Sequence, residues 1–410
     1  MSIITLFSGS FCNENPVIEK ILSRTGYRLF TDNEIVAEAS RLSAMAESKI
    51  MRTFSAGSSV FNKFTREKER SITFLKLALA ELIPDDNALV TCFCGQLLPK
   101  AVSHSLRVCL IASLKYRIAA ASREHGISEK EAAKLVQKRE EECAAWIDLL
   151  FRQSDPWDAG LYDIVIPADK MTAEDAAALI ADNASSSVVR PTESSKQALA
   201  DFRLAAVTEV ALAREGHHAD IDISAKDGLI SITVNKQVLR LSRLQDELRS
   251  LAERIPGVKG VETKVGKDFH KSDIYRKHNF EMPAKVLLVD DEREFVQTLS
   301  ERLIMRDMGP AIAYDGESAL DLIREDEPEV MIVDLKMPGI DGLEVLRKVK
   351  ETRPEIEVII LTGHGHEEDR EKCMKLGAFA YLQKPLDISE LSETIKKANE
   401  KIRRKKESRR

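Results

Sequence analysis

Four short apolar runs in the last third of the chain each end in residues able to do chemistry. KVLLVDDE (285–292) ends in Asp290 and Asp291, and MIVDLKMPGIDG (331–342) carries Asp334; VIILTG (358–363) carries Thr362, and AYLQKP (380–385) carries Lys384. Continuous Val/Ile/Leu runs of this kind read as strands of a parallel sheet covered on both faces. In such a sheet, ligands collect where the strand C-termini converge. Three carboxylates, a hydroxyl and an ammonium are therefore expected at one sheet edge. Mg²⁺ takes octahedral oxygen ligation and keeps several waters, so two or three carboxylates plus a carbonyl suffice to hold it. Phosphoryl transfer needs mostly positioning and charge neutralisation, which a metal ion and a lysine supply. The set thus points to a phosphoryl acceptor with Mg²⁺ as cofactor, since the carboxylates would repel one another without it.

The elements that must position these residues alternate. Strands are expected at 285–289, 311–314, 329–333, 358–361 and 380–383, each separated by helical periodicity. With VDDE, VDLKMPGIDG, LTG and KP in family order and spacing, residues 284–400 resemble the response-regulator receiver domain. The resemblance implies a flavodoxin-like (βα)5 fold with Asp334 as phosphoacceptor. It implies that Asp290, Asp291, Asp334 and the backbone carbonyl of Lys336 hold the metal, and that Thr362 and Lys384 contact phosphoryl oxygens. A cis peptide bond is implied before Pro385. On phosphorylation Thr362 would move toward the phosphoryl group and Tyr381 would swing inward, while Lys336 and His364 stand where the family tunes dephosphorylation. His364-Gly-His366 lacks the further matched ligands of a metal site and reads as a loop near the phosphoryl pocket.

The whole chain is larger than this segment. At 410 residues, 43% apolar and 31% charged, it reads as a multidomain α/β protein of roughly two to four domains. No apolar run approaches the roughly 18 residues of a membrane span, and the opening MSIITLFSGSFC lacks the basic region of a signal peptide. Six cysteines in so long a chain suit a reducing compartment rather than a disulfide framework. The cytoplasm is the expected location. Residues 396–410 carry nine basic and two acidic side chains, so the rest of the chain stands at −13. The tail at 401–410 reads as a solvated helix end whose cations suit the C-terminal dipole; no aromatics interleave for base stacking.

Two breaks divide the rest. ADNASSSVVRPTESSKQ (181–197) and the polar stretch at 270–283 read as linkers. Segment 1–180 alternates strands (3–7, 88–93, 106–112, 162–167) with helices. With TDNEIVAEAS (31–40) and HGISEKEAAKLVQKREEECAAW before DPWDAGLYDIVI, it resembles the cytidylate-kinase-like family of P-loop nucleotide kinases. It departs from that family at the phosphate loop, which needs glycines so that backbone N–H groups can curl around phosphate. In FSGSFCNENP (7–16) Gly9 is the single glycine; Phe11, Cys12, Asn13 and Glu14 stand where the family's small residues should, and Lys20 comes a turn too late. Arg107, Arg117, Arg123 and Arg139 are candidate phosphate contacts, although arginines on charged helices are usually solvated. Cys92 and Cys94 are expected on one face of a strand as core thiols.

Segment 198–269 reads as helix, hairpin through Asp227-Gly228, helix and strand. With IPGVKGVETKV (255–265) it resembles the BON domain, an α+β binding or assembly module, with His217-His218 in a polar loop. The expected function is a two-component phosphorelay response regulator. A histidine kinase or phosphotransfer protein would phosphorylate it, and it would signal to an output partner through protein or ligand contact, because no helix-turn-helix pattern follows the receiver-like segment. The alternative is a nucleoside monophosphate kinase regulated by that segment. The two resemblances also admit a nucleotide on the N-terminal segment and a homodimer through the receiver-like one.

Overall fold

The computed structural model describes residues 2–57, 62, 66–217, 221–235, 241–266, 285–306, 308–363 and 367–407. The expected linker at 270–283, together with His218, His364 and His366, lies outside the described residues. The chain divides into two compact units, one of residues 1–57 and 68–277 and one of 58–67 and 278–410.

The first unit begins with β1 (Ile3–Ser8), α1 (Glu14–Thr25), β2 (Arg28–Phe30), α2 (Asp32–Ser43), α3 (Glu47–Met51) and α4 (Glu67–Leu82). It continues through β3 (Ala88–Thr91), β4 (Ser105–Ile111), α5 (Leu114–His125), α6 (Glu129–Phe151), β5 (Ile164–Pro167) and α7 (Ala173–Ala184). The five strands form a parallel sheet in the order β2-β3-β1-β4-β5. Central β1 is apolar on both faces, and Ile3, Ile4, Leu6 and Phe7 are all buried, as a strand between two helical layers requires.

Two expectations fail here for physical reasons. The run 88–93 stops being a strand at Thr91. The Asp32 carboxylate accepts the amides of Phe93 at 3.0 Å and Cys94 at 2.9 Å, and Cys92 turns to φ 65°. Cys92 and Cys94 therefore do not share a strand face. The supposed linker 181–197 is folded as well. Helix α7 runs through Ala184, and α8 (Glu193–Arg214) starts from a Thr192 cap that accepts the Ser195 amide at 3.2 Å. Ser, Thr and Asn are helix-cap residues as much as loop residues, and composition alone cannot separate the two uses.

Helix α8 belongs to two layers. Toward the parallel sheet, the Ser195 hydroxyl lies 2.6 Å from His104 Nδ1. Arg203 donates to the carbonyls of Ala80 and Ile83 at 3.1 and 2.8 Å, and Glu209 accepts from Thr73 at 2.8 Å. Toward the other side, Asp201 accepts the amides of Asp227 and Gly228 at 2.7 and 2.9 Å. These two residues, at φ 52° and 83°, form the tight turn between β6 (Ile221–Lys226) and β7 (Leu229–Val234). Helix α9 (Leu241–Ala252) and β8 (Gly260–Val265) complete a three-stranded sheet, antiparallel then parallel. His217, expected in a polar loop, is buried with Nε2 3.3 Å from Glu247.

The second unit alternates without exception: β9 (Val286–Val289), α10 (Arg293–Ile304), β10 (Pro310–Ala313), α11 (Gly316–Glu325), β11 (Val330–Asp334), α12 (Gly342–Thr352), β12 (Glu357–Thr362), α13 (Glu367–Lys375), β13 (Ala380–Gln383) and α14 (Ile388–Glu407). Its parallel sheet has the order β10-β9-β11-β12-β13, which is the flavodoxin-like order. Side chains of each strand alternate between two cores: Leu287, Val289, Met331 and Val333 on one face, Val286, Leu288, Val330 and Ile332 on the other. The basic stretch from 401 is not wholly a solvated end. Lys401 and Lys405 lie 2.9 and 3.2 Å from the buried Glu357 carboxylate at the start of β12. Removing most of a fully buried side chain from this sheet leaves a cavity. Leu288→Ala should therefore cost about 2–5 kcal/mol, read as an earlier urea transition of this unit.

Candidate functional site at the strand ends of the second unit

The order β10-β9-β11 reverses direction of winding at β9, and the crevice beyond β9 and β11 is where such sheets bind ligands. Asp290 follows β9 directly and Asp334 is the last residue of β11. Lys384 follows β13, and its Nζ reaches back to Asp290 Oδ2 at 2.7 Å and Asp334 Oδ1 at 3.1 Å. Glu292 Oε1 stands 3.4 Å away on the solvent side, and the Phe295 ring centroid lies 4.2 Å from the same nitrogen. The remaining carboxylate oxygens are held by backbone: Glu292 N–H donates to Asp290 Oδ1 and Lys336 N–H to Asp334 Oδ2, both at 2.9 Å. Burial pushes the Asp290 carboxyl above its ordinary range, and the Lys384 hydrogen bond pulls it partway back. Burial opposes the Lys384 charge, yet the bond to Asp290 and the fields of both aspartates outweigh it and raise its pKa.

Other parts close the pocket. Thr362 ends β12, one residue past the register partner of Asp334, and is buried. The Lys384 amide donates to the Thr362 carbonyl at 2.8 Å, and the Lys384–Pro385 peptide is cis, as expected. Tyr381 packs half-buried against the core below Thr362. A Cβ on Gly342 would sit 2.1 Å from the Asp334 carbonyl oxygen, so only glycine lets α12 start so close to the acceptor strand. Asp291 differs from Asp290: it is exposed. Among the described residues no three acidic, histidine or cysteine side chains surround one point. The expected three-carboxylate set is therefore not assembled. With Lys384 neutralising the inner pair, Asp291 stays in water at the rim. The inner pair still fits a divalent ion, because both carboxylates already converge on one cation.

The loop between β1 and α1 in the first unit is arranged differently. Phe11 and Asn13 take left-handed backbone at φ 63° and 58°, a region that glycine enters freely and other residues rarely. The loop passes through two left-handed residues, and side chains occupy its inner space. Cys12 is fully buried with Sγ 3.1 Å from the position of a Cβ on Gly9. Burial raises the pKa of the Glu14 carboxyl, and the Ser8 hydroxyl donates to the Gly9 carbonyl at 3.0 Å. Lys20 pairs with Glu174. Arg117 is not solvated as expected: it is buried beside this loop and paired with Glu140. Arg107 donates to the Pro99 carbonyl at 2.8 Å, and Arg139 pairs with Glu142 at 3.2 Å.

Two family models match this chain. Residues 286–396 match the response regulator receiver domain. The C-terminal part of this chain is a receiver domain. Residues 3–170 match the cytidylate kinase-like family. Response regulator MprA of Mycolicibacterium vanbaalenii is 36% identical over 110 residues, covering 27% of this chain and 48% of that protein. The chain thus spans about half the length of this curated relative. A receiver domain protein from Clostridium thermocellum is 38% identical over 30% of this chain and 97% of its own, with a TM-score of 0.28. NtrX from Brucella abortus, in a complex with ATP, is 29% identical over 31% of this chain and 29% of its own, with a TM-score of 0.30. No helix among the described residues is long and apolar enough to cross a membrane.

The receiver domain thus brings Asp290, Asp334 and Lys384 into direct contact, with Thr362 beside them and Asp291 outside. Sequence reasoning missed Phe295, whose signal was an aromatic residue in the first turn of the helix that follows the paired aspartates. Removing the Lys384 charge should leave two close carboxylates without a cation. Lys384→Met is expected to lose roughly 3 kcal/mol of stability at neutral pH. Without the lysine the folded-state carboxyl pKa rises further, so the native state binds more protons than the unfolded chain. The deficit should therefore shrink as pH falls through the carboxylate range, which urea unfolding across pH would show.

Proposed function

We propose that this response-regulator chain accepts a phosphoryl group on Asp334 from a histidine kinase or phosphotransfer protein. The resulting signal passes by protein or ligand contact, in the cytoplasm, rather than by DNA binding. The observation that supports this best is Lys384 spanning Asp290 and Asp334: a half-buried, pre-placed ammonium beside a carboxylate at a sheet switch point. In the reaction an Asp334 oxygen attacks phosphorus. The bond between phosphorus and the donor atom breaks, and its electron pair leaves with the donor. Lys384, freed from Asp334 as that carboxylate loses its charge, turns to the phosphoryl oxygens while keeping Asp290. Thr362 donates its hydroxyl to another of these oxygens and leaves room that Tyr381 fills, a local charge event biasing a two-state element. Mg²⁺, held by Asp290, Asp291, Asp334 and the Lys336 carbonyl, would neutralise phosphoryl charge when bound.

The upstream unit is read as the output. Its phosphate loop is filled by Cys12 and Glu14, so it acts by contact rather than by phosphoryl transfer between nucleotides. The α-β-β-α-β module on α8 is read as a BON-like binding element. Incubation with acetyl phosphate and Mg²⁺ should add one phosphoryl group to the intact mass of the wild type and none to Asp334→Asn. An unmodified wild type would refute the acceptor assignment. Titration calorimetry with ATP or CMP should give no saturable heat, and tight binding of either would reinstate the nucleotide-kinase reading of the first unit.

A further inference from the structure

We propose that Phe295 is a positioning residue for Lys384, its ring seating the ammonium between Asp290 and Asp334; this rests on the acceptor role assigned to Asp334. Three carboxylates compete for the Lys384 ammonium. Asp290 and Asp334 draw it inward, while Glu292, with a side chain 68% exposed, draws it toward water at 3.4 Å. The inner pair attracts the ammonium more strongly, but the outer position keeps more of its hydration on a flexible four-carbon stem. The Phe295 ring decides the matter. It lies in the first turn of α10, half-buried against the core of Val286, Leu288 and Leu391, with its centroid 4.2 Å from Nζ. An aromatic face is negative at its centre and attracts a cation most where water is excluded, and the Lys384 side chain is only 13% exposed.

The ring thus supplies a fourth, uncharged contact that cannot bind the phosphoryl group or a metal ion. That matters for the reaction. A fourth carboxylate there would hold the ammonium back from the incoming phosphoryl oxygens. An aliphatic side chain would give it no preference over solvent. A π face fixes the starting position and lets go without leaving a charge behind.

The test uses the full chain as Phe295→Leu, which keeps apolar bulk without a π face, and Phe295→Tyr, which keeps the face. The Lys384 ε-methylene resonance, assigned by its loss in Lys384→Arg, should be displaced upfield by the ring in wild type and Phe295→Tyr. In Phe295→Leu it should return to an ordinary lysine position. Labelling by acetyl phosphate should slow roughly five- to tenfold in Phe295→Leu and stay within about twofold in Phe295→Tyr. An undisplaced wild-type resonance, or a Phe295→Leu chain that labels at the wild-type rate, would overturn the proposal. A Phe295→Tyr chain as slow as Phe295→Leu would do the same. If the wild type takes no label at all, the acceptor assignment fails, and the resonance arm alone still decides whether Phe295 seats Lys384.

Discussion

One ammonium group organises the second unit. Lys384 comes from the edge of the sheet, yet its Nζ ends between carboxylates that follow β9 and end β11. Two buried carboxylates sharing one ammonium would repel strongly without it in a medium of low polarity. Their coexistence requires a cation, and the fold provides one in the chain itself. The surrounding geometry follows from that need. Backbone amides of Glu292 and Lys336 take the outward oxygens, Gly342 lets a helix begin against the acceptor strand, and an aromatic ring floors the ammonium. The receiver domain can thus be read as a sheet whose strand ends are held to one spacing by a single internal counter-ion.

The first unit solves a similar electrostatic problem by the opposite means. Its loop between β1 and α1 keeps the left-handed turns of an anion cradle at Phe11 and Asn13. An acidic side chain, Glu14, opens the helix at this loop, with its carboxyl pKa raised by burial. The same helix-terminal physics that attracts a ligand's phosphate is satisfied by a side chain. One unit thus keeps its cation ready for exchange, and the other has made its anion part of the fold.

What the sequence made legible follows from the range of each interaction. Strands of the second unit were readable because unbroken Val and Ile runs have one physical meaning when both faces are covered. The Asp227-Gly228 turn was readable because few residue pairs accept its backbone angles. Features set by contacts far apart in sequence were not. Asp32 bends the chain at Cys92 from about sixty residues away, and no local pattern in 88–93 announces it. The placement of Arg117 beside a loop about one hundred residues earlier was equally hidden. Asp290, Asp334, Thr362 and Lys384 were named from their strand ends, but Phe295 was not, and the Lys384 bridge depends on the order of strands in space.

The longest of these relations runs through α8. Its 22 residues make a rod of about 33 Å, gripped near its start by His104, along its length by the carbonyls of Ala80 and Ile83, and at its far end by the small sheet's own core through Leu212. There is no joint along it. The helix thus bonds to residues that precede β3 and β4 in the parallel sheet and also packs into the core of the three-stranded one. The two modules upstream of the receiver lie in one compact unit and share this helix between them.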